Sequence, residues 1–291
     1  MTAADPADLK LAAALLPGRT RLLARGATCT VYTDGVQVVR LSDPNPGKAA
    51  RFRVDAQVRR KLRELGIPTP RTSELGHLPD GRAYSVEGLV KGDDLPPSPR
   101  GWQQLSGAIR ALHTLKFSGY GLLEDREDIL NGSQSNAEDG FRSRLEQAWP
   151  FHAGTLQAQP LIWLEKELHD PLQALEGELH DLAHLPVCVC HTDLHLNQWV
   201  WRGGELAAFL DFGDASIGPP EWDWASLAYF HGWEPAARLA GEPLGREVAL
   251  FGLLLAFHRA SRAVTLNRPA RKVEAVAFAR SCLERLSTPG G

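Results

Sequence analysis

The stretch VCVCHTDLHLNQWVWRGGELAAFLDFGD, residues 187–214, decides how the chain is read. Val187 to Cys190 alternates like a half-buried strand, and His191-Thr192-Asp193 follows it as a loop. Two further strands, Trp199 to Trp201 and Leu206 to Leu210, flank Gly203-Gly204, a dipeptide suited to a tight hairpin turn. The hairpin joins Asp193 to Asp211, with Gly213 allowing a sharp turn beyond. Phosphoryl transfer needs one group to position or deprotonate an attacking hydroxyl and others to hold Mg2+ against the nucleotide phosphates. An H-x-D loop followed by a hairpin and a second aspartate supplies both. The plainer reading, two solvated carboxylates at strand ends, does not account for their order.

The same stretch is rich in metal-friendly side chains. His180 and His184 stand one helical turn apart ahead of Cys188, Cys190, His191 and His195, so a zinc site can be drawn. Against it, Cys-x-Cys lacks the two-residue gap of zinc knuckles, and a free cysteine in an alternating strand serves as a small buried hydrophobe. Gly47-Lys48 invites a phosphate-loop reading that Ser42 and Ala49, at the positions of the first glycine and the metal-binding hydroxyl, do not support.

Working outward, Asp5 to Leu16 reads as a short helix, and TRLLARGATCTVYTDGVQVVRLSD as strands turning at Asp34-Gly35. A helix over Gly47 to Leu65 ends at Gly66, and strands at Thr72 to Leu78 and Arg82 to Glu87 flank Asp80-Gly81. GLVKGDDLPPSPRG, residues 88–101, has the Gly and Pro density of a linker. Beyond it the pattern is mainly helical, over Trp102–Leu115, Ala137–Trp149, Leu161–Leu182, Glu221–Tyr229, Leu244–Leu266 and Arg271–Leu286. Residues 131–140, NGSQSNAEDG, read as a polar loop. With 291 residues, 43% hydrophobic, the chain can build two lobes, and a formal charge of −3 offers no footprint for nucleic acid. The polar, acidic start MTAADPADLK and the lack of a long apolar run lead us to expect a cytoplasmic protein without membrane association. Four cysteines in such a chain do not suggest a disulfide framework.

These motifs together resemble the aminoglycoside phosphotransferase and choline-kinase-like family, relatives of protein kinases. HTDLHLNQWVW is similar to its H-G-D-L-x-x-x-N loop, and FLDFGDASIGPPEWDWASL to its I-D-F-G-D-x-x-x-G-D-P-x-x-D-L-A segment. RGATCTVYTDGVQVVRL resembles the nucleotide-covering hairpin and the strand with a basic residue, RFRVDAQVRRKLRELGIPTPR the following helix and its exit, YSVEGLVKGDDL the hinge, and AIRALHTL a helix of the second lobe. The resemblance implies an α+β, two-lobed protein-kinase-like fold: a small antiparallel sheet plus helix over residues 1–89, a hinge about 87–92, and a larger helical lobe over 90–291. It implies an enzyme moving the γ-phosphoryl group of ATP, with Mg2+, to a hydroxyl of a small molecule.

Residue by residue, Asp193 is implied as catalytic base or hydroxyl-positioning group and Asp211 as the main Mg2+ ligand. Arg40 would contact the nucleotide phosphates with Asp55 as partner, an Arg-Asp pair in place of Lys-Glu. Gly26 would lie over the nucleotide, and backbone groups from Glu87 to Leu89 would hold adenine. Asp223 and His191 are expected to brace the loop. Three departures stand out: Thr192 for a glycine, Pro219 for an aspartate, and Gln198 for the asparagine that binds metal. Gln198 reaches Mg2+ with a longer arm, or Asn197 substitutes, or the ligand is lost and the chain is a kinase-like nucleotide binder with weak or no catalysis. For the acceptor, Asp214, Glu221, Asp223 and Glu234 would suit a cation, whereas Arg259, Arg262, Arg268, Arg271 and Lys272 would suit an anionic or neutral compound or form a solvated face; Trp199, Trp201, Trp222 and Trp224 read most simply as core, with Trp222 and Trp233 as candidates for the acceptor pocket.

Overall fold

The computed structural model describes residues 5–45, 50–146, 148–151 and 160–287. In chain order these form α1 (Pro6–Leu15), β1 (Arg21–Arg25), β2 (Cys29–Thr33), β3 (Gln37–Ser42), α2 (Phe52–Glu64), β4 (Thr72–His77), β5 (Ala83–Gly88), α3 (Pro99–Thr114), β6 (Tyr120–Arg126) and β7 (Ile129–Gln134). There follow α4 (Ala137–Leu145), α5 (His169–Ala174), α6 (Glu176–Asp181), β8 (Cys188–Cys190), β9 (Trp199–Arg202), β10 (Glu205–Phe209), β11 (Ser216–Gly218), α7 (Glu221–His231), α8 (Trp233–Ala240), α9 (Arg246–Thr265) and α10 (Pro269–Ser287). The mixed α and β composition, with an antiparallel N-terminal sheet and a helical C-terminal part, is the kinase-like class expected. The chain forms two compact units, residues 1–104 with 199–213, and residues 105–198 with 214–291. Both units are discontinuous in sequence.

The first unit holds a five-stranded antiparallel sheet ordered β1-β2-β3-β5-β4. Alternation along β3 and β5 gives the sheet two unlike faces. Val39, Leu41 and Val86 join Tyr32, Ala12 of α1 and Leu16 just beyond it in an apolar cluster. Arg40 pairs across to Ser85, two residues from Glu87, so these polar groups share the opposite face. The buried side of α2 carries Val58 and Leu62 together with Asp55 and Arg59. Its end is a Schellman cap: Gly66 takes φ +81°, while the N–H of Ile67 donates to Leu62 O and that of Gly66 to Arg63 O, both at 3.0 Å. The β9–β10 hairpin turns at Gly203 and Gly204, both left-handed as a type I′ turn requires. The expected linker docks on this hairpin, Asp93 N–H donating to Trp201 O at 3.0 Å and Ser98 N–H to Gly204 O at 2.8 Å.

In the second unit a four-stranded sheet, β7-β6-β11-β8, presents the end of β8. Phe141, Trp222 and Phe251 form an aromatic core, with centroids 5.0 to 5.9 Å apart. Helix α9 is long and apolar enough to cross a bilayer, contrary to the sequence reading, yet 72% of that stretch is buried within the protein. Its apolar surface is used in packing against α7 and α10.

Several elements differ from the sequence reading. Residues 131–140 are not an open loop: β7 pairs with β6 and α4 begins at Ala137. The β6–β7 turn hides this hairpin because Glu127 and Asp128, not Asn-Gly, adopt the left-handed conformation, at φ 53° and 66°. The single helix expected over 161–182 is broken into α5, α6 and 3-10 turns, and α8 was not anticipated. Gly47, Lys48 and Ala49, which carried the phosphate-loop reading and the start of the expected second helix, lie outside the described residues.

Gly121 takes φ +73°, and a Cβ there would meet Gly140 O at 2.6 Å; Gly232 takes φ +90° with nothing nearer than Pro235 Cδ at 3.9 Å. Gly232→Ala should therefore cost about 1–3 kcal/mol from the backbone alone, and Gly121→Ala a further ~1–3 kcal/mol from the clash. Equal shifts in urea midpoint for the two variants would contradict this assignment.

Candidate active site

In the first unit four side chains close a buried ring of alternating charge. Arg40 pairs with Asp55 through Nη2 and with Glu87 through Nε at 3.2 Å, while Arg59 pairs with Asp55 at 2.9 Å and with Glu87. Arg40 Nε also donates to Ser85 Oγ at 3.1 Å. Burial acts to lower the Arg40 pKa, but Asp55 and Glu87 prevail and raise it. Burial acts to raise that of Asp55, but Arg40 and then Arg59 hold it below the usual carboxylate range. A buried charge is tolerated only when paired and hydrogen-bonded, and each member here meets two opposite charges. The expected Arg40–Asp55 pair is present. Arg59 and the Glu87 side chain escaped the sequence reading; the i,i+4 spacing of Asp55 and Arg59 on the buried face of α2 was the available signal.

The free oxygen of the Asp55 carboxylate, Oδ1, accepts the N–H of Phe212 at 2.9 Å. Phe212 is fully buried, edge-on to Phe209 at 4.9 Å. The turn is thereby anchored on both sides of its backbone, and it presents Asp211, exposed and at φ +60°. A left-handed aspartate at the end of a strand is a strained arrangement held by its surroundings. Gly26 lies in the exposed β1–β2 turn, its N–H donating to Cys29 O at 2.8 Å. Leu89 uses its N–H on Val36 O at 2.9 Å.

In the second unit the loop after β8 hangs on one buried carboxylate. Asp223 accepts the N–H of His191 at Oδ2, 2.9 Å, and that of Thr192 at Oδ1, 2.7 Å. His113 Nε2 lies 2.9 Å from the same Oδ2; burial acts against its protonation, but the carboxylate prevails and raises its pKa. The N–H of Asp193 reaches His191 Nδ1 at 3.4 Å, and that of Leu194 reaches Ser226 Oγ at 3.0 Å. His191 and Asp223 thus brace the loop as expected. Thr192, where a glycine was anticipated, sits at φ +70°. Its Oγ1 donates to Asp214 O and accepts from Arg144 Nε, both at 3.0 Å, which offsets the strain of a β-branched residue there.

The braced loop presents Asp193, about a quarter exposed, with Oδ1 at 2.5 Å from Arg259 Nη2 and Oδ2 at 3.7 Å from His195 Nε2. Burial would raise its pKa, but Arg259, and behind it Arg144, bring it down to about 2. It is a carboxylate at neutral pH, an acceptor able to orient a hydroxyl. Gln198 is buried, its amide nitrogen 3.0 Å from His195 Nε2, whereas Asn197 is exposed. With that nitrogen on His195, the amide oxygen of Gln198 is left as a hard donor. The cysteines do not join the histidines of the zinc reading: Cys188 and Cys190 lie 3.7 Å apart beside His113, and Cys190 Sγ contacts the carbonyls of Gly218 and Pro219. Trp222 is fully buried in the aromatic core, so it cannot line a pocket, and Trp233 stacks on Phe278.

The model of the phosphotransferase enzyme family matches residues 22–263. The chain belongs to this family. Among solved structures, aminoglycoside phosphotransferase APH(4)-Ia, as a thermostable mutant without ligand, shares 17% identity at TM-score 0.69, covering 93% of this chain and 95% of that one. The GDP complex of aminoglycoside 2′-phosphotransferase-IIIa shares 16% at TM-score 0.66, covering 92% and 93%. APH(4)-Ia has also been solved with AMP-PNP and hygromycin B. The fold of this phosphotransferase is therefore that of kinase-like aminoglycoside enzymes.

The charge ring gives this family member a pH signature. Because folding lowers the Asp55 pKa, its contribution is complete above the ordinary carboxylate range and is lost as pH falls through the folded value. Asp55→Asn, which leaves two guanidinium groups to share Glu87, should cost about 3–5 kcal/mol at pH 7. The gap to the native protein should narrow in acid. Urea unfolding at pH 7 and at pH 3 checks this; a gap independent of pH would contradict it.

Proposed function

We propose that this phosphotransferase moves the γ-phosphoryl group of ATP, with Mg2+, to a hydroxyl of a small molecule. The observation that carries the reading is Asp193: an ionised carboxylate at the tip of a loop whose backbone is clamped by Asp223. In this reading Asp193 accepts a hydrogen bond from the acceptor hydroxyl and orients its oxygen. As that oxygen bonds to the γ-phosphorus and the bond to ADP breaks, the hydroxyl proton passes to Asp193 Oδ. Arg40, held in plane by Asp55 and Glu87, faces the nucleotide phosphates.

The residues present suit Mg2+, which prefers carboxylate and amide oxygens. Asp211 offers an exposed carboxylate held at a strained turn, and Gln198 an amide oxygen fixed by burial. Of the two amides that follow Asp193, Gln198 is favoured over Asn197 as a metal ligand because its position is set by His195, whereas Asn197 is exposed. A bound ion would neutralise charge on the phosphates. Support for a hydroxyl-bearing acceptor comes from the related structures, solved with hygromycin B and with kanamycin.

A second reading, a nucleotide binder with slow turnover, is favoured by one observation: Arg259 already occupies an oxygen of Asp193. Asp193→Ala separates the two. For the phosphotransferase, ADP release in the presence of acceptor should fall about 10²–10⁴-fold, with the Kd for MgAMP-PNP unchanged. Turnover indifferent to Asp193 would remove the catalytic reading.

A further inference from the structure

Arg259 is an unusual neighbour for a carboxylate that must receive a hydroxyl. It projects from α9, where it is stacked at 4.9 Å from the Phe230 ring centroid and 5.6 Å from that of Tyr229. The aromatic faces hold the guanidinium and leave its hydrogen-bonding edge for oxygen acceptors. That edge is only half used: Nη2 donates to Asp193, while Nε is buried without a hydrogen-bond partner. An arginine fork in this state matches a carboxylate or phosphate, which takes two parallel N–H donors.

The surrounding charges point the same way. Arg144 lies close enough to lower the Asp193 pKa, and Arg262, one turn along α9, pairs with Glu146 at 3.0 Å. The basic run continues in exposed Arg268 and Arg271. The carboxylates that would suit a polycation are otherwise engaged. Asp223 is fully buried under the loop, Asp214 pairs with Arg144 at 3.3 Å, and Glu221 is partly buried with its pKa raised by that burial. Glu234 is exposed. A polycationic acceptor approaching Asp193 would meet Arg259 first.

We propose that the acceptor carries an anionic group, a carboxylate or phosphate close to the hydroxyl that is phosphorylated, and that Arg259 is its recognition residue. The anion takes the Arg259 fork in place of Asp193, and Asp193 is thereby released to accept the hydroxyl. Arg259 is in this view a lock as well as a reader: neutral and cationic compounds do not compete for the guanidinium and leave Asp193 engaged. The inference rests on the phosphotransferase reading for its acceptor, but its anion-binding step does not depend on turnover.

The test uses matched compounds that differ in charge: glycerate, glycerol and 2-amino-1,3-propanediol, and gluconate, glucose and glucosamine, with hygromycin B and kanamycin as polycations. Calorimetry on the native protein with MgAMP-PNP should show glycerate or gluconate binding about 10–100-fold more tightly than its neutral and amine counterparts. Added salt should weaken that preference. Arg259→Ala should abolish it and Arg259→Lys retain part of it, with MgAMP-PNP affinity unchanged in both. Tighter binding of the amines or aminoglycosides, no discrimination by charge, no binding of either anion, or anion affinity unaffected by Arg259→Ala would each overturn the proposal. Failure of the phosphotransferase reading appears separately, as no Asp193-dependent phosphoryl transfer to any compound.

Discussion

The two accessible carboxylates, Asp193 and Asp211, are each presented by backbone tied to a fully buried aspartate that must be satisfied. An ionised carboxylate removed from water is unfavourable unless cations and donors surround it. Asp223 meets this need with His113 and two backbone N–H groups; Asp55 meets it with Arg40, Arg59 and one. In each unit the donated N–H belongs to the segment that presents an accessible aspartate, Asp193 in one and Asp211 in the other. Demand for satisfaction at a buried site thus fixes backbone at a partly solvated one. The left-handed residues follow from this: Thr192 at φ +70° and Asp211 at φ +60° hold conformations a free loop would leave.

Much of this was legible in the sequence because it is local. The H-x-D loop, the Gly203-Gly204 hairpin and the aspartate after it are contiguous, and the alternation of β3 and β5 is plain. What the sequence concealed depends on pairing between distant residues. Arg59 reads as one basic residue of a basic helix until Glu87, 28 residues on, is placed across from it. Arg259 reads as one charge in a basic run, suited to an anionic or neutral acceptor or to a solvated face, until α9 carries it to Asp193, 66 residues earlier. The β6–β7 hairpin was hidden for a different reason: its turn is made by Glu127-Asp128, whose chemistry does not announce left-handed backbone. Trp222 follows its simpler reading, as a fully buried core residue.

The two units also distribute charge differently. In the first, two arginines and two carboxylates balance within one buried ring. In the second, the cations near Asp193 pair off singly: Arg259 with Asp193, Arg144 with Asp214 and Arg262 with Glu146. His258, buried behind this cluster, shows the local field: burial, then Arg144 and Arg259, push its pKa well below the ordinary imidazole value.

The Arg-Asp pair at Arg40 and Asp55, in place of Lys-Glu, has a geometric basis. A lysine in that place would supply one ammonium, a compact point charge. Arg40 instead addresses Asp55 with Nη2 and both Ser85 and Glu87 with Nε, so one planar group spans helix α2 and strand β5. The shorter aspartate suits this arrangement because its second oxygen remains for Phe212 N–H, 2.9 Å away. Lysine at 40 would leave Glu87 with Arg59 alone, and glutamate at 55 would carry the carboxylate past the backbone it anchors. The two residues are therefore coupled to each other and to Asp211: a change at either alters the turn that presents the exposed aspartate. Arginine's fork makes the pair a rigid plate, and that rigidity transmits the order of the sheet to the end of the β9–β10 hairpin.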